Sequence, residues 1–596
     1  MNVSLPQMTA LVLASWLLVS CGVDAAESFD SGPRLINTCE VDTDCKSTAA
    51  RDGVCADRMC VAPIGQIDKA YLEVVPPASA RYGAGDSFVL VLEGVSHGSY
   101  ASDLILPEYA VFEGMVTTLP SVLGEIPSDD CEQVYDPSSQ SLQVHVELYR
   151  NETPNGLPGW SVLTNAERPV VGASWVFKGS APPGTYDMYA TAMGGCEADF
   201  PPLFAPGLVL ASGRGGPLTL HVSALSTLSG TVTAPRKTGG DHVSLDGWTV
   251  WLVEPTQGKV ISTTRKLNHG ATTNFRIRYQ TAADRSPLVQ IIPPKEMVAP
   301  VVTWDLSVLD LDADGVVDPD LSSLDLATVQ VTASVVDSGF EPVASASVRL
   351  RSTALLGASL GLNARYDTLA TTDADGMINL PLLPGTYQVD VVPPDYTDLS
   401  ITQAVWTVGR SPAFQAGRTI EVERKQTIQG SVKDPIDNRV FEEIAISVSP
   451  SLMRSTSYYE RLFELPSVLP RATSSITGAQ GVFVVGVDPG IVDIIAQPSE
   501  SSKFPWMLHA NVGVPRDPMG EMHISYPVLL AGTLRDPTDG YPVQQAKLRV
   551  FAVTNPGSSS SLPPQVDATA VHLIAQGRTD KNGAFTLLLP SEFNAN

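Results

Sequence analysis

Short runs in which every second residue is apolar recur along the chain. Leu142-Gln143-Val144-His145-Val146-Glu147-Leu148, Ala346-Ser347-Val348-Arg349-Leu350 and Ala546-Lys547-Leu548-Arg549-Val550 show the pattern most clearly, and Ser87-Phe88-Val89-Leu90-Val91-Leu92 reads the same way. A period of two matches a strand with one buried and one wet face. Pro and Gly number 47 each and punctuate these runs, so the chain predicts many short strands joined by tight turns rather than helices. The expected fold class is all-β.

The strands belong to an internal repeat. Leu228-Ser229-Gly230-Thr231-Val232 aligns with Val331-Thr332-Ala333-Ser334-Val335, Ile428-Gln429-Gly430-Ser431-Val432 and Leu530-Ala531-Gly532-Thr533-Leu534. Measured between Gly230, Ala333, Gly430 and Gly532, the steps are 103, 97 and 102 residues. That period suits one small β-sandwich per copy and is too long for a solenoid unit. Within a copy, an alternating strand is followed by a polar turn ending in glycine: Thr372-Asp373-Ala374-Asp375-Gly376, Thr477-Gly478-Ala479-Gln480-Gly481 or Thr579-Asp580-Lys581-Asn582-Gly583. The glycine permits positive φ where the chain reverses. A copy closes with Leu383-Pro384-Gly385-Thr386-Tyr387-Gln388-Val389, matched by Asp488-Pro489-Gly490-Ile491-Val492.

This order, T-D-x-x-G, apolar strand, L-x-P-G-x-Y-x-V, resembles the carboxypeptidase regulatory-like domain, related to transthyretin-like and Cna-B-type sandwiches. The second copy matches nearly throughout and the third well. The first is divergent but retains Gly230, Gly270 and a closing Leu288–Pro294. The fourth matches as far as Leu589, so it either lacks its closing strand or borrows one, and an unfilled edge recruits a partner or aggregates. Pro183-Gly184-Thr185-Tyr186 echoes the closing motif outside the four copies. The resemblance implies modules that are structural or interactive rather than catalytic.

Near the N-terminus an apolar run from Ala10 to Leu18 is followed by Val19-Ser20-Cys21. The run is shorter than the about 20 residues a bilayer span needs and suits a secretory signal. Leucine three residues before cysteine resembles the lipobox of bacterial lipoproteins, although no Lys or Arg precedes the run. The resemblance implies cleavage before Cys21, lipidation there and attachment to the outer membrane of a bacterial envelope, on either its periplasmic or its surface face. The expected division is a signal peptide at 1–20, a tether at 21–38, a Cys-rich segment at 39–64 and a β-rich sandwich at 66–225. Repeats follow at 226–298, 327–424, 425–525 and 526–596 (incomplete), with an acidic linker at 299–326.

Charge narrows the partners. Lys and Arg total 38 against 64 Asp and Glu, a net −26 with no basic cluster, which argues against nucleic acid. With Cys21 lipidated, six of the seven cysteines remain, an even number in an oxidising compartment. Cys39, Cys45, Cys55 and Cys60 crowd together and predict two disulfides whose pairing is open; Cys131 and Cys196 are left for each other.

Few constellations carry chemistry. Asp310, Asp312 and Asp314 alternate before Gly315, with Asp318 further on, as in a calcium loop, but Leu321 stands where a bidentate acid belongs. Calcium is therefore the candidate ion, and no cofactor is required. Gly357-Ala358-Ser359-Leu360-Gly361 matches the serine-hydrolase pattern inside a sandwich copy, far from any elbow that would use it. Trp251 falls on the outward side of its strand, where other copies have Arg349, Ser447 and Arg549, and could stack on a sugar or pack on a neighbouring domain. The expected function is a non-enzymatic, membrane-anchored envelope lipoprotein, a β-sandwich rod for adhesion, scaffolding or protein interaction. A carbohydrate-binding (starch-binding-like) lipoprotein is the alternative, and a serine hydrolase comes after it.

Overall fold

A computed structural model describes Cys39 and residues 54–56, 59–61, 66–96, 103–116, 141–150, 160–167, 175–192, 201–214, 226–237, 240–255, 258–279, 286–310, 315–358, 363–411, 414–433, 440–451, 468–499, 502–514, 521–523, 525–554, 570–591 and 594–595. The second repeat shows how the pattern folds. Strand β1 (Val329–Asp337) buries Val329, Val331, Ala333 and Val335, as its alternation requires. Asp337 then accepts hydrogen bonds from the N–H groups of Gly339 (2.8 Å) and Glu341 (3.0 Å), which turns the chain. Strand β2 (Ser347–Leu355) pairs antiparallel with β3 (Asp367–Thr371), and β4 (Met377–Leu382) returns antiparallel to β1. Strand β5 (Gly385–Val392) lies between β2 and β6 (Thr402–Val408), while β7 (Phe414–Val422) runs parallel to β1. The result is a three-stranded sheet, β4-β1-β7, and a four-stranded sheet, β3-β2-β5-β6.

The T-D-x-x-G turn now has a physical reason. The Thr372 hydroxyl donates to the Val343 carbonyl (2.7 Å) and accepts from the Ala346 N–H (2.8 Å), bolting the β1–β2 connection from inside the core. Thr477 and Thr579 make the same two bonds, to Phe441 and Ile444 and to Val543 and Ala546. Gly376 has φ 68°, and a Cβ there would stand 2.6 Å from the Val335 carbonyl oxygen, so alanine is excluded on two counts. Replacing Thr372 by the near-isosteric valine strands a buried carbonyl and a buried N–H. The expected loss is about 1–3 kcal/mol for that sandwich, read by hydrogen exchange of the β1 and β2 amides.

Among the described residues, the same seven positions recur five times. Residues 226–317 and 426–523 each form the two sheets in the order of the second repeat. The unit at 110–214 keeps the same strand order in one seven-stranded sheet, running through the β6, β5, β2, β3, β4, β1 and β7 counterparts, with the Glu167–Val176 pair joining the two halves. Its Tyr186 hydroxyl bonds to the Pro182 carbonyl at 2.6 Å, as Tyr387 bonds to Leu383 at 2.6 Å. The echo at Pro183-Gly184-Thr185-Tyr186 is thus the β4–β5 corner of the same fold.

The fifth sandwich is made from two distant segments. Pro527–Arg535, Lys547–Thr554, Ala570–Arg578 and Ala584–Pro590 fill the places of β1 to β4. Gln66–Val75 takes the place of β5 against Lys547–Thr554, Phe88–Ser96 that of β6, and Asp103–Ile105 that of β7, parallel to Pro527–Arg535. The last repeat therefore borrows three strands from near the beginning of the chain. Residues 66–105 pair with 527–590 and not with the sheet at 110–214, which corrects the unit expected at 66–225; of the two alternatives for the last repeat, a missing strand or a borrowed one, the structure has the second.

A second boundary shifts for a related reason. Val301–Asp305 and Val316–Val317 supply the β6 and β7 positions of the sandwich expected to end at 298. Leu321, Leu324 and Leu326 are buried in an apolar core that continues from this sandwich into the next, so 299–326 is not a solvated linker. A second core joins residues 66–105 to 527–590 and takes in Cys39, Cys60, Leu508 and Ala510. Cys39 is bonded to Cys55, and Cys60 is disulfide-bonded too. Among the described residues, no helix is long and apolar enough to cross a membrane.

Candidate functional site

Several charged side chains lie where one sandwich meets the next, while others, such as Arg351 with Asp390, pair within a single sandwich. Lys259, in the sandwich at 226–317, reaches the sheet at 110–214. Its Nζ lies 3.3 Å from Glu147 Oε2 and 2.5 Å from the Tyr149 hydroxyl, and 4.4 Å and 5.2 Å from the Tyr149 and Tyr189 ring centroids. Tyr149 also donates to Glu147, and the Tyr189 hydroxyl donates to the Val260 carbonyl at 2.5 Å. Burial alone pushes the Glu147 carboxyl up, but Tyr149, Lys259 and His145 outweigh it and hold the group below the usual carboxylate range. Burial, with the Glu147 charge adding to it, raises both tyrosines.

Arg471 joins the sandwich at 329–422 to the one at 426–523. Its guanidinium contacts Asp488 through Nε (2.8 Å) and Nη2 (2.7 Å), and donates to the Pro393 (2.8 Å) and Leu399 (2.5 Å) carbonyls in the β5–β6 turn of the preceding sandwich. Asp488 also accepts from the Ile401 N–H at 3.0 Å. Burial pushes Asp488 up, yet the Arg471 side chain and the backbone N–H groups of Arg471 (2.9 Å) and Ile401 together hold it below its ordinary value. At the following junction His572 Nδ1 lies 2.9 Å from Asp493 Oδ2, and both side chains are buried.

These shifts have a pH consequence. Glu147 and Asp488 are lowered in the folded state, so their contribution is complete above the unfolded carboxylate pKa of about 4 and disappears as pH falls through the folded value. Limited proteolysis across pH 7 to 2 is expected to show cleavage at these junctions only at the acid end. Cleavage that begins near neutrality would sink the assignment.

The structure separates the residues singled out by sequence. Trp251 lies opposite Gln290, on the face away from buried Val250 and Leu252; it is half-buried, and its indole N–H donates to Gln290 at 3.0 Å. Asp310 accepts from the Gly315 N–H (3.1 Å), and Asp318 from the Thr231 N–H (2.9 Å). Asp312 and Asp314 lie outside the described residues, as do Cys21, Cys45, Cys131, Cys196 and Ser359. Among the described residues, no three potential metal ligands come together.

Sequence reasoning missed the junction residues, and one signal was visible. Asp488 stands in the closing motif where the second repeat has Leu383, and both are buried. A carboxylate at an apolar position of a repeat needs a partner, and Arg471 supplies it.

No protein-family model and no curated protein matches this sequence. Among solved structures it is similar to a streptococcal ancillary pilin, at 11% identity over 50% of this chain and 99% of the pilin, with a TM-score of 0.21. It is also similar to the Bacillus anthracis TIE protein, at 8% identity over 64% of this chain and 68% of that one (TM-score 0.16). The shaft pilin SpaA of Lactobacillus rhamnosus GG matches at 12% identity over 33% of this chain and 96% of its own (TM-score 0.18). Superpositions this loose carry no argument about what the chain does.

Proposed function

We propose that this chain is a non-enzymatic, membrane-anchored envelope lipoprotein whose sandwiches, of the carboxypeptidase regulatory-like kind, form a stiff support for adhesion, scaffolding or protein interaction. The observation that carries this reading is the way successive sandwiches are joined. A lysine in a tyrosine cage, an arginine chelated by a buried aspartate and shared apolar cores hold the junctions. Ordinary domain interfaces are polar and permit relative motion, so shared apolar cores, with charge pairs partly withdrawn from water beside them, favour a role in which the modules keep a set spacing.

The lipid anchor rests on the sequence around Cys21. Labelling cells with a palmitate analogue, followed by fractionation, is expected to place the wild-type protein in the membrane with label and to lose both in Cys21→Ser. Unlabelled wild-type protein in the soluble fraction would overturn the anchor. Ester turnover abolished by Ser359→Ala would overturn the non-enzymatic reading.

A further inference from the structure

We propose that the fifth sandwich is also a site of homotypic assembly, in which residues 66–105 of one copy complete the half-sandwich 527–590 of another. Three of the other sandwiches pass from the β4 to the β5 position through two residues: Pro182-Pro183, Leu383-Pro384 and Asp488-Pro489. In the fifth, the chain leaves the β4 position at Pro590, and Asn594–Ala595 pairs with His509 and Ala510 of the preceding sandwich. The β5, β6 and β7 positions are filled by strands that precede the β1 strand by 421 residues (106–526).

The joint includes the ladder between Ala70–Val75 and Lys547–Ala552, the short parallel ladder at Asp103–Ile105, an apolar core and the ion pair of Glu73 with Arg549. None of these contacts requires both segments to belong to one chain, so a reciprocal dimer makes the same bonds at this joint as the closed monomer. Order of synthesis adds a reason for exchange. At about 5–20 residues per second, the strands at 66–105 wait roughly 20–80 s for residue 527. Through that interval Leu72, Val74, Phe88 and Leu92, all buried in the finished sandwich, have no cover from 527–590. An amphipathic strand in that condition pairs with whichever complement arrives first. The proposal does not depend on lipidation or on the absence of catalysis.

Charge reversal distinguishes exchange from closure. Glu73 and Arg549 face each other in register, so Glu73→Arg or Arg549→Glu alone places like charges together in the closed chain. When the two full-length variants, carrying different tags, are refolded together without reductant, reciprocal exchange restores an opposite pair in both sandwiches. The expected result is a species of doubled mass by light scattering, co-recovery of both tags and renewed amide protection at 547–552. A mixture that behaves as the sum of the separate samples overturns the proposal. Should either variant fail to fold, two tagged wild-type copies refolded together at low and high concentration give the answer. Co-recovery that rises with concentration supports exchange, and monomers at every concentration exclude it.

Discussion

Glu73→Ala is expected to destabilise the fifth sandwich by about 3–5 kcal/mol while leaving the other four near their original stability. Glu73 is fully buried; its carboxylate receives the Arg549 guanidinium and the Ser87 hydroxyl at 2.7 Å. Removing it leaves a charge on Arg549 that is mostly shielded from water, and that uncompensated charge is the larger part of the penalty. Because this pair spans two segments far apart in sequence, the loss appears in both. Amides of Gln66–Val75 and of Lys547–Thr554 should exchange faster together, while those of Val329–Asp337 stay protected. Hydrogen exchange is the appropriate measure, since five sandwiches in one chain do not unfold in a single two-state step. If exchange accelerates only at 66–75, the two segments do not form one cooperative unit and the assignment of a composite sandwich fails.

The second large effect is expected at the junction between the sandwiches at 329–422 and 426–523. Asp488→Ala removes the partner of Arg471 and of the Ile401 N–H, again for about 3–5 kcal/mol, concentrated on the contact between the two modules. The double variant Asp488→Leu with Arg471→Met restores the apolar residue of the second repeat and removes the stranded charge. It should regain most of the lost stability, because a buried pair replaced by apolar residues of similar volume is close to neutral. Calorimetry of the three proteins separates the outcomes. A single variant as stable as wild type would mean that Arg471 finds enough compensation in the Pro393 and Leu399 carbonyls and in Asp395, whose carboxylate lies 3.6 Å from the guanidinium.

Much of the module was legible in the sequence. Alternation marked Ala346–Leu350 and Ala546–Val550 as half-buried strands, which fold as Ser347–Leu355 and Lys547–Thr554, because the pleat sends successive side chains to opposite faces and the apolar ones must go inside. Turn chemistry was equally local. The Thr372 bolt, the Asp373 turn and Gly376 act within a few residues of one another or across one corner, so they leave a contiguous signature that repeats with the fold. The unit at 110–214 was harder to see, since only its Pro183-Gly184-Thr185-Tyr186 corner kept that signature.

The junction residues left almost no trace. Lys259, Glu147 and Tyr189 belong to two sandwiches, and their attraction depends on how those sandwiches abut, which no periodicity encodes. Within the calcium-like spacing beginning at Asp310, Asp310 and Asp318 each hold a backbone N–H of their own sandwich. Short polar side chains near turns serve the backbone as readily as they serve ions.

By itself, the sequence determined what each module is: strand alternation and turn residues are short-range, and every copy must satisfy the same backbone and burial requirements with its own residues. Only the tertiary structure decided which segments make up a module and how the modules are joined. Pairing Gln66–Val75 with Lys547–Thr554 uses the same alternation that a neighbouring strand would offer, so the pattern is silent about the partner. That choice falls to the unfilled sheet edge of the last repeat and to the buried charge of Glu73, which Arg549 meets only when the two ends of the chain fold together.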